Sequence, residues 1–364
     1  MKGAGHPLKL VRAALLATLL ATGLTLPGVA RAEPAASARL DSIATVFAQR
    51  GFAGAICVMR GADTLLDRGY GMADREAGIA NAAAVRYPIG SLTKSFTAAA
   101  VMKLVERGKL TTSDSLRRWV PEVSPAWSGV TLRHLLTHTA GIPDPQDDSD
   151  FVRFGREGSP GLIAARRYAG RPLDFPPGSG YAYSNTGYQV LGAVIEAASG
   201  ESYESFVEHE LLQPLHLAET GFEPGVHDSA NEAVGYFNKR SGVVLAPVND
   251  LGMAYAAGAL VSTTHDLVRW EQALLQGGVV HGEAFTEMVT PLAGDYAYGI
   301  HHRAGPGREV YYHTGKIGGF DSAMGWYPAD SVAVVVLGNH AGGWRINELY
   351  DALAGASHAA ERGR

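Results

Sequence analysis

The sequence predicts an α/β fold in which an antiparallel sheet is built from both ends of the chain and is flanked by helices, with a mostly helical lobe between. Residues 55–59 and 64–69 are β-rich and are joined by the turn at residues 60–63, which indicates a hairpin. Three β-rich runs lie near the other end: residues 310–313, 322–327 and 332–337. Helical patterns and Pro- and Gly-rich loops occupy most of the stretch between.

The most regular helical pattern begins near Ser91. From there to Gly108 the apolar residues recur at helical spacing, and Gly108 is typical of the position where a helix stops. Further helices are expected at residues 132–137, 186–198, 203–211 and 345–353.

The chain contains no tandem repeat and no low-complexity tract that would mark several domains. Hydrophobic residues make up 46% of its 364 residues, which is enough for a large buried core. We expect a single domain over residues 33–364. Within it, residues 33–98 and 250–364 form the sheet lobe, and residues 99–249 form the mostly helical lobe.

Residues 1–32 have the three parts of a secretory signal peptide. The basic residues Lys2, Lys9 and Arg12 precede an apolar run, and residues 30–32 (Ala-Arg-Ala) fit the small-x-small cleavage rule. We expect this leader to be removed and the rest of the chain to be periplasmic or secreted, without membrane insertion. An uncleaved anchor is the alternative, but the apolar run contains Pro27 and is short for a bilayer-spanning helix.

Charge excludes two classes of partner. Without the four cations of the leader, 27 Lys and Arg residues stand against 36 Asp and Glu residues, a balance of −9. A chain with this negative charge is not suited to bind a nucleic acid or an anionic membrane, and we expect a small-molecule or peptide substrate.

Cys57 is the only cysteine, so no intramolecular disulfide can form, and we expect its thiol to be a small core side chain.

Ser91 and Lys94 are three residues apart at the start of the predicted helix, so both side chains lie on one face. A serine hydroxyl needs a base to become a nucleophile, and a lysine can serve if desolvation or nearby cations lower its pKa. An arginine could not, because it does not give up its proton. The free N–H groups of a helix N-terminus also favour negative charge that develops there.

Two later segments contain side chains that could act together with Ser91 and Lys94. The Tyr-Ser-Asn triplet at residues 183–185 offers a phenol that a lysine ammonium could push toward phenolate, and an amide that could bind a substrate carbonyl. The His-Thr-Gly triplet at residues 313–315 lies on a predicted strand, where the glycine allows close approach of a substrate backbone. A second Tyr-x-Asn match at residues 236–238 lacks the surrounding pattern, and we interpret Tyr236 as structural.

In this order the three elements resemble the penicillin-recognising serine hydrolases, which include class C β-lactamases, D-alanyl-D-alanine carboxypeptidases and related esterases. Residues 90–96 (GSLTKSF), 135–142 (LLTHTAGI) and 183–188 (YSNTGY) strengthen the resemblance, which extends over about residues 41–353. It implies a β-lactamase/transpeptidase-like fold. The absence of an acidic deacylation loop and of a Ser-Asp-Asn triplet favours the tyrosine mechanism of the class C branch.

The resemblance also implies roles for single residues. Ser91 would be the acylated nucleophile, Lys94 its base, and Tyr183 a second proton-transfer group that helps to activate the deacylating water. Asn185 would bind the substrate amide or carbonyl. His313 and Thr314 would face the anionic or polar end of the substrate, and the backbone N–H groups of Ser91 and of Lys316, which follows Gly315, would form the oxyanion hole.

One departure from the family pattern concerns the substrate. Position 313 holds histidine where β-lactamases commonly have lysine, so we expect a cation that titrates near neutral pH and a pH-dependent hold on a substrate carboxylate. Arg303 or Arg308 could anchor a peptide carboxylate, although both fit ordinary surface positions. This departure argues against dedicated hydrolysis of β-lactam antibiotics.

Other chemistries find less support. His134 and His138 have the spacing of a zinc pair but lack the accompanying glutamate, and the acidic residues Asp144, Asp147, Asp148 and Asp150 lack calcium-site spacing and fit a solvated edge. No Gly-x-Ser-x-Gly elbow or phosphate-binding loop occurs. We therefore expect no metal site and no cofactor.

Two classes of function stay open at this stage. The first is an exported serine hydrolase that cleaves an amide or peptide, of the D-alanyl-D-alanine carboxypeptidase or D-aminopeptidase type, with weak β-lactamase activity or with small esters as alternative substrates. The second is a penicillin-binding or sensor module that is acylated on Ser91 but not turned over. The sequence leaves the oligomeric state open.

Overall fold

The computed structural model describes residues 34–144, 160–168, 171–222, 231–247, 251–304 and 308–359. The expected leader lies outside these ranges, as do Asp147, Asp148 and Asp150. No helix in the described ranges is long and apolar enough to cross a membrane.

The helices, in chain order, are α1 (Pro34–Gln49), α2 (Thr93–Glu106), α3 (Leu116–Trp119), α4 (Leu132–Leu136), α5 (Pro160–Tyr168), α6 (Asn185–Ser199), α7 (Tyr203–Val207), α8 (Leu251–Ala254), α9 (Thr264–Leu275), α10 (Gly282–Val289) and α11 (Ile346–Ala359). Short 3-10 turns occur at Gly90–Leu92, Pro125–Trp127 and Tyr255–Ala257, and a π-helical turn at Glu208–Leu212 continues α7.

The strands are β1 (Gly54–Arg60), β2 (Asp63–Tyr70), β3 (Met72–Asp74), β4 (Ile79–Ala80), β5 (Tyr87–Pro88), β6 (Gly221–Phe222), β7 (Tyr236–Lys239), β8 (Gly242–Leu245), β9 (Leu260–Ser262), β10 (His301–Arg303), β11 (Val310–Ile317), β12 (Phe320–Tyr327), β13 (Val332–Gly338) and β14 (His340–Ala341).

The main sheet has six antiparallel strands in the order β10-β11-β12-β13-β1-β2. Strand β1, from the start of the described chain, pairs with β13 over its whole length, from Gly54↔Gly338 to Arg60↔Val332. The predicted sheet from both chain ends is thereby confirmed. The hairpin β1–β2 and the strands β11, β12 and β13 lie where the β-rich runs predicted them.

Helices cover both faces of this sheet. Helices α1 and α11 pack on one face, where α1 contacts β2 and α11 contacts β13, whose residues 332, 334 and 336 belong to the same hydrophobic cluster. Helix α9 packs on the other face, toward residues 333, 335 and 337. Because β13 is buried on both sides, it is a continuous apolar run instead of an alternating one.

The helical part of the chain is organised around α6, which packs against α2, α4 and α5. A side chain at Gly192 would lie 2.3 Å from the ring of Tyr255, so the glycine lets the Tyr255–Ala257 turn pack directly on α6. The helix begins at Asn185 because Ser184 caps it, its Oγ accepting from the N–H of Gly187 at 3.0 Å. Helix α6 therefore fixes where residues 183–185 lie.

Strand β11 and the turn that carries Ser91 are in close contact. A Cβ on Gly315 would lie 2.2 Å from the carbonyl oxygen of Ile89 and 3.1 Å from the Ser91 nitrogen. Gly90 has a φ of +53°, which a residue with a side chain adopts only with strain. The two glycines allow the sheet edge and the start of α2 to approach each other.

Glu271 is a buried carboxyl group in α9, and neither of its oxygens has a hydrogen-bond partner in the described structure. Burial raises its pKa well above the ordinary value of 4.5. The unfolded chain gives up this proton more readily than the folded chain, so the free energy of unfolding falls as pH rises above about 4.5.

Glu271→Met should therefore stabilise the protein at pH 8, by about 1–3 kcal/mol, and less at pH 5. Urea unfolding at the two pH values measures the effect, with Glu283→Met on α10 as an exposed control. A loss of stability, or an equal gain at both pH values, would show that the carboxyl group is not held neutral.

Candidate active site

The structure brings Ser91 and Lys94 together as their spacing predicts. Ser91 lies in the 3-10 turn Gly90–Leu92, and Lys94 lies in the first turn of α2. Lys94 Nζ is hydrogen-bonded to Ser91 Oγ at 3.1 Å. The lysine side chain is fully buried, which is rare for this residue type. Each N–H group of the buried amine therefore needs a hydrogen-bond acceptor.

Two further contacts supply those partners. Lys94 Nζ donates to Asn185 Oδ1 and to the carbonyl oxygen of Ala257, each at 2.8 Å. Both oxygens can only accept, so they use two N–H groups of the amine. A neutral amine then keeps its lone pair for the hydroxyl hydrogen of Ser91. The three contacts hold Lys94 in the geometry of a base for Ser91.

Burial lowers the pKa of Lys94 to about 7, and the charge of Asp144 opposes this shift. A charged amine in this site would be poorly solvated, and the rings of Tyr183 and Tyr188, 4.8 and 5.5 Å away, replace water only in part. Near neutral pH a large fraction of Lys94 is therefore uncharged and able to accept a proton.

Tyr183 lies beside this pair as a neutral phenol. Its hydroxyl is buried and makes no hydrogen bond of ordinary geometry, yet it is close enough to Ser91 for that side chain to affect it. Burial raises the pKa of Tyr183 above its ordinary value of 10, and the interaction with Ser91 only partly offsets the increase. The expected shift toward phenolate is wrong, because burial of the Tyr183 hydroxyl favours its neutral form.

Asp144 is a positioning residue that the sequence did not reveal. Its Oδ2 accepts from the Asn185 N–H at 2.7 Å and from Asn185 Nδ2 at 3.2 Å. Its Oδ1 accepts from Thr186 Oγ1 at 3.0 Å and from the Thr186 N–H at 3.4 Å. For Asp144 the expected solvated edge is therefore wrong. Asp144 fixes the amide whose oxygen holds Lys94, from 41 residues away in the chain.

His138 holds the other side of the same segment. Its Nδ1 accepts from the Ser184 N–H at 3.0 Å, and its carbonyl oxygen accepts from the Ala182 N–H at 3.0 Å. The residue is buried and has a φ of +59°, a strained backbone conformation for a histidine. His134 has a separate role, since its Nδ1 accepts from the Thr131 N–H in the cap of α4.

His313 is buried and neutral. Its Nδ1 lies 2.6 Å from the carbonyl oxygen of Thr314, and its Nε2 lies 3.3 Å from the Tyr296 hydroxyl. Burial, helped by the charges of His301 and Lys94, lowers the pKa of His313 to about 3. The expectation of a cation that titrates near neutral pH is therefore wrong.

The remaining substrate-binding candidates lie along β11. A Cβ on Gly90 would be 3.0 Å from the backbone nitrogen of Lys316, so this nitrogen lies beside the Ser91 turn. The side chain of Lys316 is exposed, 3.7 Å from Asp321. Thr314 lines a cavity of about 130 Å³ together with Arg303 and residues of α11.

Arg303, Arg308 and Tyr236 interact with residues outside the Ser91 site. Arg303 donates to the Tyr312 hydroxyl and lies 3.7 Å from Asp295, while the charge of Arg308 acts on Tyr327 and His358. The Tyr236 hydroxyl contacts Glu76 and the Arg75 N–H, which agrees with a structural role.

Asp144→Asn should change both stability and the titration of Lys94. Loss of the charge weakens the contacts to Asn185 and Thr186, at a cost of about 1–3 kcal/mol in the free energy of unfolding. It also removes the charge that raises the pKa of Lys94. The pH midpoint of Ser91 labelling by a serine-reactive phosphonate should therefore fall.

Asp63→Asn, at the first residue of β2, is the matched control and should leave the midpoint in place. An unchanged midpoint in Asp144→Asn would show that Asp144 acts on structure alone.

Comparisons with known proteins agree with this geometry. Protein flp of Staphylococcus aureus (strain COL) is 27% identical over 302 residues, which cover 78% of this chain and 59% of that relative. This chain thus spans less than two thirds of the length of flp.

Solved structures show the same fold. The octameric penicillin-binding protein homologue from Pyrococcus abyssi superposes with a TM-score of 0.77 at 29% identity, covering 89% of this chain and 77% of that one. The D-amino acid amidase from Ochrobactrum anthropi SV3 superposes with a TM-score of 0.78 at 23% identity, covering 90% and 100%. The Beta-lactamase family model matches residues 31–356. The chain belongs to the Beta-lactamase family of serine hydrolases.

Proposed function

We propose that the protein is an exported serine hydrolase that forms an acyl-enzyme on Ser91 and cleaves amide or peptide bonds of D-amino acid substrates. The observation that carries the proposal is the buried Lys94 amine, held by Asn185 and Ala257 with its third contact on Ser91 Oγ. The leader-like residues 1–32 support export to the periplasm or medium.

Acylation follows from these contacts. Neutral Lys94 takes the proton of Ser91 as Oγ bonds to the substrate carbonyl carbon. The backbone N–H groups of Ser91 and Lys316 would stabilise the oxyanion. When the C–N bond breaks, the leaving nitrogen takes a proton from Tyr183, whose neutral hydroxyl is a suitable donor, and Tyr183 regains one from Lys94. Water then bonds to the ester carbonyl carbon and gives a proton to the same pair. The bond between this carbon and Ser91 Oγ breaks, Oγ takes the proton back, and the carboxylic acid product leaves.

The neutral His313 bears on the choice of substrate. A fixed cation at this position would attract a substrate carboxylate next to the scissile bond. The uncharged imidazole of His313 attracts such a carboxylate only weakly. This favours D-aminopeptidase or amidase chemistry over D-alanyl-D-alanine carboxypeptidase chemistry, and it makes β-lactams poor substrates. The fold shared with the D-amino acid amidase is consistent with this preference. Small esters are the second candidate, because the same machinery cleaves them more easily.

Lys94→Ala should slow acylation by about 10²–10⁴-fold without unfolding the chain. In the wild type the acylation rate should rise as pH increases through about 7, because Lys94 must lose its proton to act. Stopped-flow kinetics with an activated ester measures both effects. Lys103→Ala on the same helix is the control and should behave like the wild type. Undiminished acylation in Lys94→Ala would exclude it as the base.

A substrate panel decides between the functions. D-aminoacyl amides, D-Ala-D-Ala peptides, a chromogenic cephalosporin and short-chain p-nitrophenyl esters are compared in wild type and Ser91→Ala. We expect steady turnover of D-aminoacyl amides, weak turnover of the cephalosporin, and no activity in Ser91→Ala. A burst of acylation without steady turnover of any compound would support the sensor module instead.

A further inference from the structure

A second group of reactive side chains converges on the opposite part of the sheet. It consists of Cys57 on β1, Asp67 on β2 and His265 at the start of α9. One ligand atom from each side chain lies within 4.8 Å of the other two. Within the part of the chain that the structure describes, no other group of three His, Cys, Asp or Glu side chains comes together in this way.

The three positions are set by secondary structure. Cys57 and Asp67 are direct partners across the β1–β2 ladder, so their side chains leave the sheet on the same face. Helix α9 packs on β1 on the face of Cys57, and it brings His265 Nε2 to 3.0 Å from Asp67 Oδ2. Two strands and one helix thus contribute one ligand each.

This group is separate from the Ser91 site. Strand β1 lies three positions from β11 in the sheet, which corresponds to roughly 14 Å at about 4.8 Å per strand. The Ser91 turn contacts β11 and β12, at the other side of the sheet. A ligand held by Cys57 would therefore not touch the catalytic groups.

The burial of the three side chains is graded. The Cys57 thiol is fully buried, whereas the side chains of Asp67 and His265 are 27% and 49% exposed. An ion from solvent can meet the imidazole and the carboxylate first and then reach the thiol beneath them. The two outer ligands are also free to adjust their position.

We propose that Cys57, Asp67 and His265 form a binding site for a divalent transition-metal ion of the zinc class. Sulfur, imidazole nitrogen and carboxylate oxygen are the donors that Zn²⁺ takes in proteins, and three protein ligands leave the fourth tetrahedral position for water. The thiolate and the carboxylate balance the 2+ charge of the ion. A tetrahedral site needs ligand atoms about 3.3–3.8 Å apart. Atoms that now lie up to 4.8 Å apart must therefore approach by up to about 1.5 Å, while Asp67 Oδ2 and His265 Nε2, now 3.0 Å apart, must separate slightly.

Binding replaces a proton by the metal. The S–H bond of Cys57 breaks, the proton leaves to solvent, and a metal–thiolate bond forms. Burial and the charge of Asp67 raise the pKa of the thiol, so the metal must compete with that proton and affinity increases with pH. Once bound, the ion links β1 and β2 to α9 and should raise the melting temperature.

Co²⁺ is the probe, because its spectrum reports both thiolate ligation and tetrahedral geometry. Titration of the full chain should give one Co²⁺ per chain, with a sulfur-to-metal charge-transfer band in the near ultraviolet and intense visible d–d bands. Cys57→Ser should lose the charge-transfer band. His265→Ala, at an exposed position that should leave the fold intact, should weaken binding by more than about 10-fold.

The matched control is His209→Ala. His209 also pairs with a carboxylate on the surface, Glu201 at 3.3 Å, but no cysteine completes the group. His209→Ala and Ser91→Ala should both bind Co²⁺ like the wild type. No charge-transfer band in the wild type, or equal binding in wild type and His265→Ala, would overturn the proposal and leave Cys57 as a core side chain.

Discussion

The site depends on removing one lysine amine from water. A change in the pKa of Lys94 from 10.5 to about 7 corresponds to about 5 kcal/mol in favour of the neutral form. Burial supplies this free energy, but an amine without acceptors would also be costly to bury. The contacts to Asn185 Oδ1 and the Ala257 carbonyl remove that cost and leave the lone pair directed at Ser91.

The three hydrogen-bond partners of Lys94, which are Ser91, Asn185 and Ala257, come from three segments of the chain. Residues that do not hydrogen-bond to Lys94 fix the positions of these segments. Asp144 and His138 hold residues 182–186 from two sides. Gly192 allows the Tyr255–Ala257 turn to reach α6, which brings the Ala257 carbonyl to the amine. The helical part of the protein therefore acts as a support that places acceptors around one nitrogen.

Much of this arrangement could be predicted from local patterns. The hairpin, the β-rich runs and the spacing of Ser91 and Lys94 are short-range features, and each has its expected structure. Asp144 could not be recognised, because its partners lie 41 and 42 residues away and it begins a stretch with further acidic residues at positions 147, 148 and 150. The charge of His313 was predicted wrongly. Burial against Tyr296 and the neighbouring strand keeps its imidazole neutral, and burial of a single side chain cannot be inferred from the composition of the sequence.

The most direct test of this account is an NMR titration of the Lys94 side-chain amine in the wild-type protein, with Lys94→Ala used to assign the signal. If burial controls the site, the signal titrates with a pKa of about 7, far below the ordinary value of 10.5. A pKa near 10.5 would contradict the account, because Lys94 would then be charged at neutral pH and could not accept the proton of Ser91.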